Sequence, residues 1–363
     1  MFIDGIPQLE KPQGLVKSEP YQSYPKVPNF DREAQEAVKY EGLPPLKPAR
    51  PSKDAIFIGV KSLCARHNTN GEVALKRVAN GDNGVVIVHD GKVVCAGSNA
   101  QCEAMKANMA GVPIVDLEGG SIEQGLLSYG APMGLEEISA EVSTNDGVAP
   151  GPLVDSVPSL VGGDKYLARA IDGLSFETRD ALSVRISISP QTYMSSYSYR
   201  IAYRAGVTSA ISSPKHRMFL GGLSAAFSLG SSNRLTTGAI IKPVAALHVS
   251  IVDNVETPSI GTQIAALRSL LLGHGGGDVG VYFNKAAKGE IPLVVDTQNA
   301  DIIATLLSLK EEVEGIVDGG LVRLVIAGGA EAHLLAKELG KAHVGVIFTR
   351  PRAFPLTWRG RRM

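Results

Sequence analysis

From Gln124 onward the chain alternates short, almost wholly apolar segments with amphipathic ones, and few architectures accommodate that rhythm. The candidate strands are QGLLSYG (124–130), GVTSAISS (206–213), VAALHVS (244–250), IPLVVDTQ (291–298), LVRLVIAGG (321–329) and VGVIFTRP (344–351). Between them, TQIAALRSLLLG, ADIIATLLSLKEEVEG and AEAHLLAKELGKA carry helical periodicity. A strand that is apolar on both faces has to be covered on both, so the pattern predicts parallel strands flanked by helices. An open doubly wound sheet fits the same alternation, but the length of the segment favours an α/β fold of the TIM-type (β/α) barrel. Chemistry in such a barrel sits where strands end. That makes Gly130, His248, Asp296, Gln298, Gly328 and Thr349 the rim positions.

Two different textures precede this region. Residues 1–54 are rich in Pro, Lys and Glu, as in PYQSYPKVPNF and EGLPPLKPARPSK, without a sustained apolar period. Proline removes donors and disfavours helix at the residue before it, so an extended, largely disordered arm is expected. Residues 55–123 then bring the β-branched runs AIFIGVKSL, GVVIVHDGKVVCAG and VPIVDLEGGSI. The Asp-Gly pair of HDGK suits the positive-φ turn of a hairpin, and the region reads as a small antiparallel β-domain of the sandwich type. The third division, 124–363, is the barrel.

Lys+Arg and Asp+Glu number 36 each, for zero formal net charge. That argues against nucleic acid or an anionic membrane as partner, since both select an excess of clustered positive charge. No run approaches the ~18 apolar residues of a membrane span. The start, MFIDGIPQLEKPQG, lacks the basic-then-apolar pattern of a signal peptide, which leaves the cytoplasm as the default compartment. The cysteines are three: Cys64, Cys95 and Cys102. Cys95 and Cys102 are close enough in sequence to pair in an oxidising compartment, but so sparse a set reads first as ordinary reduced thiols. No CxxC or paired His accompanies them as a zinc site would require.

Taken together, GVVIVHDGKVVCAG, VDLEGGSIEQGLLSYGAPMGLEEI, AYRAGVTSAISSP, GGLSAAFSLG, AALHV, TQIAALRSLLLG, GEIPLVVDTQNADIIATLLSLK and AGGAEAHLLAKELGKAHVGVIFTRPRAFP resemble the amidohydrolase superfamily. The likeness covers about residues 55–355. It points to the fungal branch filed with carbohydrate esterase family nine, near imidazolonepropionase-like proteins. The resemblance implies hydrolysis of non-peptide C–N bonds in a small amide-like substrate, with one or two divalent metals, usually zinc, activating a water. It also implies a ligand set that this chain does not supply. The His-x-His pair expected at the end of the first barrel strand falls on Gly130 and Pro132. The fifth-strand ligand falls on Gln298 and the sixth on Gly328. The catalytic Asp of the eighth strand would lie beyond WRGRRM, so the barrel is expected to lack its last strand and to leave an open edge, which a second copy of the chain would cover.

Three residues remain as candidates for chemistry. His248 is the only histidine at a predicted strand end, a ligand or polarising imidazole if not a hydrogen-bonded structural one. Asp296 stands at the rim as a proton acceptor, a cation partner or the cap of the following helix. His333 lies in AEAHLLAKEL, either at the rim or on a helix face. His216, with Lys215 and Arg217, forms a basic loop that would suit an anion if it is more than solvated surface. GHGGGD (273–278) lacks the context of a phosphate loop and GGLSAAFSLGSS lacks the GxSxG of a hydrolase elbow. Finally, SVRISISPQTYMSSYSYRI (183–201) interrupts what relatives run as one helix into a strand, and it is expected to be a translated short intron, the other reading being a surface loop. The readings are therefore a catalytically impaired or silent scaffold with no cofactor, or a metal-dependent hydrolase or deacetylase, zinc-loaded, with a site remodelled around His248, Asp296 and His333.

Overall fold

The computed structural model describes residues 53–66, 73–78, 84–136, 141–153, 157–176, 206–231, 233–253 and 257–349, with a few positions among the first fifty-two. The 183–201 segment, most of the 1–54 arm and the terminal residues from 350 lie outside the described residues. The contacts divide the chain into Met1–Pro48 and Ala49–Met363. In the first unit Phe2–Ile3 pairs antiparallel with Ile6–Pro7.

In the second unit seven strands among the described residues precede the main sheet: β1 (Ala55–Val60), β2 (Ser62–Arg66), β3 (Val73–Arg77), β4 (Gly84–His89), β5 (Lys92–Ser98), β6 (Ile114–Asp116) and β7 (Ser121–Ile122). They make a four-stranded sheet, β5-β4-β1-β6, and a three-stranded one, β3-β2-β7. The hairpin predicted at HDGK joins β4 to β5, with Asp90 at φ 48° and Gly91 at φ 73°. Helix α1 (Asn99–Ala107) follows β5 and packs Cys102 against Ile56, Val85 and Ile87. On the other side Val60 and Val86 share a core with Leu63 and Ile122 of the smaller sheet. The region is not purely antiparallel as expected, because β1–β6 and β2–β7 pair in parallel. The intervening chain, α1 included, gives the crossover length that a parallel return needs. Cys95 and Cys102 are joined as a disulfide that ties β5 to α1, where free thiols were expected; Cys64 is free.

The main sheet has seven strands in chain order: β8 (Leu126–Tyr129), β9 (Val207–Ser212), β10 (Leu220–Ser228), β11 (Ile240–Ser250), β12 (Leu293–Thr297), β13 (Leu324–Gly328) and β14 (Gly345–Phe348). All six predicted strands are present. The seventh, β10, is the GGLSAAFSLG stretch, which the sequence reading did not place among the strands. It runs antiparallel to both neighbours, whereas β8–β9 and β11 through β14 are parallel. The all-parallel expectation therefore fails at β10. The reason is local: only short connections join β9 to β10 and β10 to β11, and short connections reverse direction.

Alternation sorts the sheet into two faces. Leu223, Leu247, Val249, Leu293, Val295, Leu324 and Ile326 point outward into the main core. That core is completed by helices α2 (Ile260–Ser269), α3 (Gly277–Ala287) and α4 (Ala300–Ile316) through Ile264, Leu267, Phe283, Ile303, Leu306 and Leu309. A short helix, α5 (Ala336–Lys341), adds Leu339. Helix α3 begins inside GHGGGD, which is thus a helix start rather than a free loop; the chain can turn there because Gly275 and Gly280 meet backbone to backbone.

The inward face is concave. Three strand spacings separate β8 from β11, about 14 Å in a flat sheet. Yet the Tyr129 and His248 ring centroids are 6.2 Å apart, and Tyr129 also packs on Ala246, Val294 and Ala327 of β11, β12 and β13. Only a strongly curled sheet brings its first strand onto its fourth, fifth and sixth. The result is an α/β fold with a half-barrel sheet whose outer strands, among the described residues, are β8 and β14.

Candidate functional site

The concave face is lined by the inward residues of every second position: Tyr129 on β8, Ser224 and Ala226 on β10, Ala246 and His248 on β11, Val294 and Asp296 on β12, and Ala327 on β13. Most of these are small, and the Tyr129 ring packs across Ala246, Val294 and Ala327. The polar ones come from different strands. His248 pairs in register with Val294, two residues before Asp296, which places both on one face of neighbouring strands.

Each polar group is shaped by its surroundings. His248 is only 6% exposed and stacks on Tyr129 at an interplanar angle of 22°, and its Nε2 has no hydrogen-bond partner among the described residues. Burial, helped by the neighbouring His216, pushes its pKa down to about 3, so the imidazole is neutral at physiological pH. Burial and then the Asp296 carboxylate push the Tyr129 phenol up to about 12. Asp296 itself reaches solvent at the mouth of the face, but the protein enclosing it raises its pKa above the usual carboxylate range, with His216 acting in the opposite sense. It does not cap the following helix. Asn299 does that, its Oδ1 accepting from the Asp301 and Ile302 amides at 2.9 and 3.3 Å, and Glu331 Oε2 accepts from the Ala300 amide at 2.8 Å.

The corner after β8 is held rather than empty. Ser212 Oγ donates to the Met133 carbonyl at 2.7 Å and lies 3.3 Å from that of Ala131. A cavity of about 350 Å³ opens there, lined by Gly130, Ala131, Pro132, Glu136, Lys215 and His216 among others. Lys215 forms an ion pair with Glu136 at 2.6 Å, and the half-buried His216 ring rests on Gly221, where any Cβ would lie 2.6 Å from its Cε1. The basic loop of the sequence reading is thus a structured wall: its exposed lysine is already paired with Glu136, and Arg217 stands at the surface. A second cavity of about 360 Å³ lies among Asp146, Tyr166, Arg169 and Asp172, where burial and then Asp172 raise the Asp146 carboxyl.

The structure places His248 and Asp296 on one face of neighbouring strands. His333 lies instead on an exposed turn, Ala332–Leu335, with Nδ1 3.2 Å from the Ala330 carbonyl. The reasoning missed Tyr129 as a member of the site, His216 as its wall, and Asn299 and Glu331 at the mouth of β12. For His216 a signal was present: Gly221 in an apolar run marks a close approach.

The residues at the family's ligand positions do not fit a divalent metal. Gly130 and Gly328 offer no side chain and Pro132 no donor. Gly328 has φ 90°, a conformation that resists any side chain, and a Cβ there would meet Gln298 Nε2 at 2.1 Å. The Gln298 amide therefore fills the space that a ligand at 328 would need, and its Oε1 accepts from the Ala330 amide at 3.2 Å. Among the described residues no three His, Cys, Asp or Glu side chains converge as a metal-binding group. His248, Asp296 and His333 do not form one.

The fold and site thus define an α/β protein with a curled sheet that gathers Tyr129, His248 and Asp296 at its strand ends. No family model matches the chain. Its full length is similar to the amidohydrolase tasK of Hapsidospora irregularis, 27% identical over 413 residues, and spans 36% of that protein's length. The crystal structure of an amidohydrolase from Thermotoga maritima matches with a TM-score of 0.57 at 19% identity, covering 85% of this chain and 73% of that one, a likeness of fold. The resemblance to amidohydrolases is met in both comparisons. No helix among the described residues is long and apolar enough to cross a membrane.

Proposed function

We propose that this chain is an amidohydrolase-type protein, of the branch near carbohydrate esterase family nine and the imidazolonepropionase-like proteins, that binds a small molecule without metal-dependent turnover. The amidohydrolase-named relatives support a hydrolase scaffold. The observation that carries the silent reading is the Gln298–Gly328 packing: the position is rebuilt around the missing ligand, with the backbone at φ 90° and the amide in the ligand's space. Gly130 and Pro132 extend the same loss to the first strand.

The test is metal content together with hydrolysis. Full-length protein is purified gently, offered zinc or manganese, freed of excess metal by gel filtration, and assayed against amides and N-acetylated sugars. The expected outcome is below roughly a tenth of an equivalent of retained metal and no hydrolysis above the uncatalysed rate. About one retained equivalent, with turnover lost in His248→Ala, would overturn the reading in favour of a remodelled metallohydrolase.

A further inference from the structure

We propose that the Cys95–Cys102 disulfide is a reversible thiol switch, the point at which a dithiol reductant releases helix α1 from the four-stranded sheet. The inference goes beyond the silent-scaffold reading and does not depend on it.

The first observation is how little else docks α1. Of its nine residues, Asn99–Ala107, Cys102 is the buried one, packed among Ile56, Val85 and Ile87. Met109 and Val112, half-buried beside it, lie beyond the helix end. Glu103, Ala104 and Met105 face solvent. Within the helix the Ser98 amide donates to Gln101 Oε1 at 2.9 Å and Lys106 Nζ donates to Asn99 Oδ1 at 3.3 Å. Such local bonds hold the helix together without holding it to the sheet. The Cys102 sulfur lies 3.8 Å from the Val85 carbonyl, but it has no proton to donate while the disulfide stands and is only a weak donor once reduced. A helix this short is marginal in water unless a face of it is packed. One small side chain is a slender face, so the covalent bond carries the docking.

The second observation is where the bond sits. β5 is an outer strand of its sheet, paired with β4. Cys95 on that strand is half-buried, whereas Cys102 is 0% exposed, so Cys95 is the half of the bond that solvent reaches. The two cysteines are only seven residues apart. Closing so short a loop constrains the unfolded chain less than closing a long one. The cluster around Cys102 also shares no residue with the main core. The effect of the bond therefore falls on α1 rather than on the whole fold.

The chemistry is thiol–disulfide exchange. A thiolate of the dithiol attacks the Cys95 sulfur, the Cys95–Cys102 bond breaks, and Cys102 leaves as a thiolate that takes a proton from water. The second thiol of the reductant then attacks its own sulfur in the mixed disulfide, which frees Cys95 and closes the reductant as a disulfide. Two electrons and two protons pass to the chain in all. With the bond gone α1 lifts and uncovers Ile56, Val85 and Ile87 of β1 and β4.

Hydrogen exchange read by mass spectrometry on the full chain, before and after dithiothreitol, tests this. Alkylation in denaturant counts the thiols, with Cys64 as the internal control. The oxidised chain should alkylate at Cys64 alone, and reduction should add Cys95 and Cys102. Reduction should also speed amide exchange in residues 102–107 by about tenfold or more while β11, β12 and β13 keep their rates. Oxidised glutathione should restore the slow state. Cys95→Ser keeps the buried Cys102 and should exchange at the fast rate with or without dithiothreitol. Unchanged exchange in α1 after the bond is cut would overturn the proposal. Equal acceleration in the main sheet would make the bond a staple of the whole fold and overturn it too. Alkylation of all three cysteines without reductant, or no recovery under oxidised glutathione, would remove the switch. The parent measurement needs no substitution, so it decides between these outcomes even where Cys95→Ser fails to fold.

Discussion

A buried neutral imidazole makes stability depend on pH, and His248 is such a group, its Nε2 without a hydrogen-bond partner among the described residues. Its folded pKa is lowered to about 3 by burial, while in the unfolded chain it titrates near the ordinary 6.5. Between these values the unfolded state holds more protons than the folded one, so stability falls as pH falls through that window. The loss approaches about 1.4 kcal/mol per pH unit well inside it. Asp296 works in the opposite sense: its raised pKa lets the folded state take up a proton sooner than the unfolded chain, which relieves the enclosed charge as pH drops. His248 is the more deeply buried of the two and sets the net sign. Denaturant unfolding at pH 6.5 and 4.5 should show a clear loss for the parent and a shallower one for His248→Gln, which carries no titrating group. Parallel slopes for the two proteins would mean that His248 finds a partner in solution.

Among the elements, α4 shows how a helix is positioned by residues that are not its own. Its first turn leaves amide groups without intrahelical acceptors. Asn299 satisfies two of them, and Glu331, 1% exposed on the turn after β13, reaches back to satisfy Ala300. Glu331 thereby ties β13 to the mouth of β12, beside Asp296. Urea unfolding should place Asn299→Ala about 1 kcal/mol below the parent. Glu331→Ala should cost about 1–3 kcal/mol, since it strands a buried amide. The double variant should fall short of their sum, because both act on one helix end. The strands themselves were largely legible: six of the seven in the main sheet announced themselves as apolar runs, with His248 and Asp296 read at strand ends. β10 was not legible. Its GGLSAAF is buried throughout but made mostly of small residues, because long-range neighbours crowd it: the His216 ring lies on Gly221, and Gly222, at φ 85°, faces the Ala168 carbonyl. Nothing nearby in sequence records those neighbours, so the stretch carries the composition of a loop.

At the scale of the whole sheet, the curl turns separate strand ends into one site, and no local pattern encodes it. Tyr129 belongs to the first strand, yet its contacts are with the fourth, fifth and sixth, residues more than a hundred positions away. Sequence reading could place Tyr129 at a strand end but not opposite His248, which is why the site was read from the expected ligands alone and found wanting. The same ring also serves as packing across the seam, since the inward face has few other large side chains. Removing it tests that role. Tyr129→Ala should lower the unfolding free energy by about 3 kcal/mol, the range for deleting a well-packed aromatic. Tyr129→Phe should stay within about 1 kcal/mol of the parent, since no hydrogen bond of the hydroxyl is seen among the described residues. If the outer helices alone imposed the curvature, Tyr129→Ala would cost no more than an ordinary surface substitution, about 0.5 kcal/mol. A large loss for alanine with little for phenylalanine would locate the closure of the half-barrel in the stacked Tyr129–His248 pair.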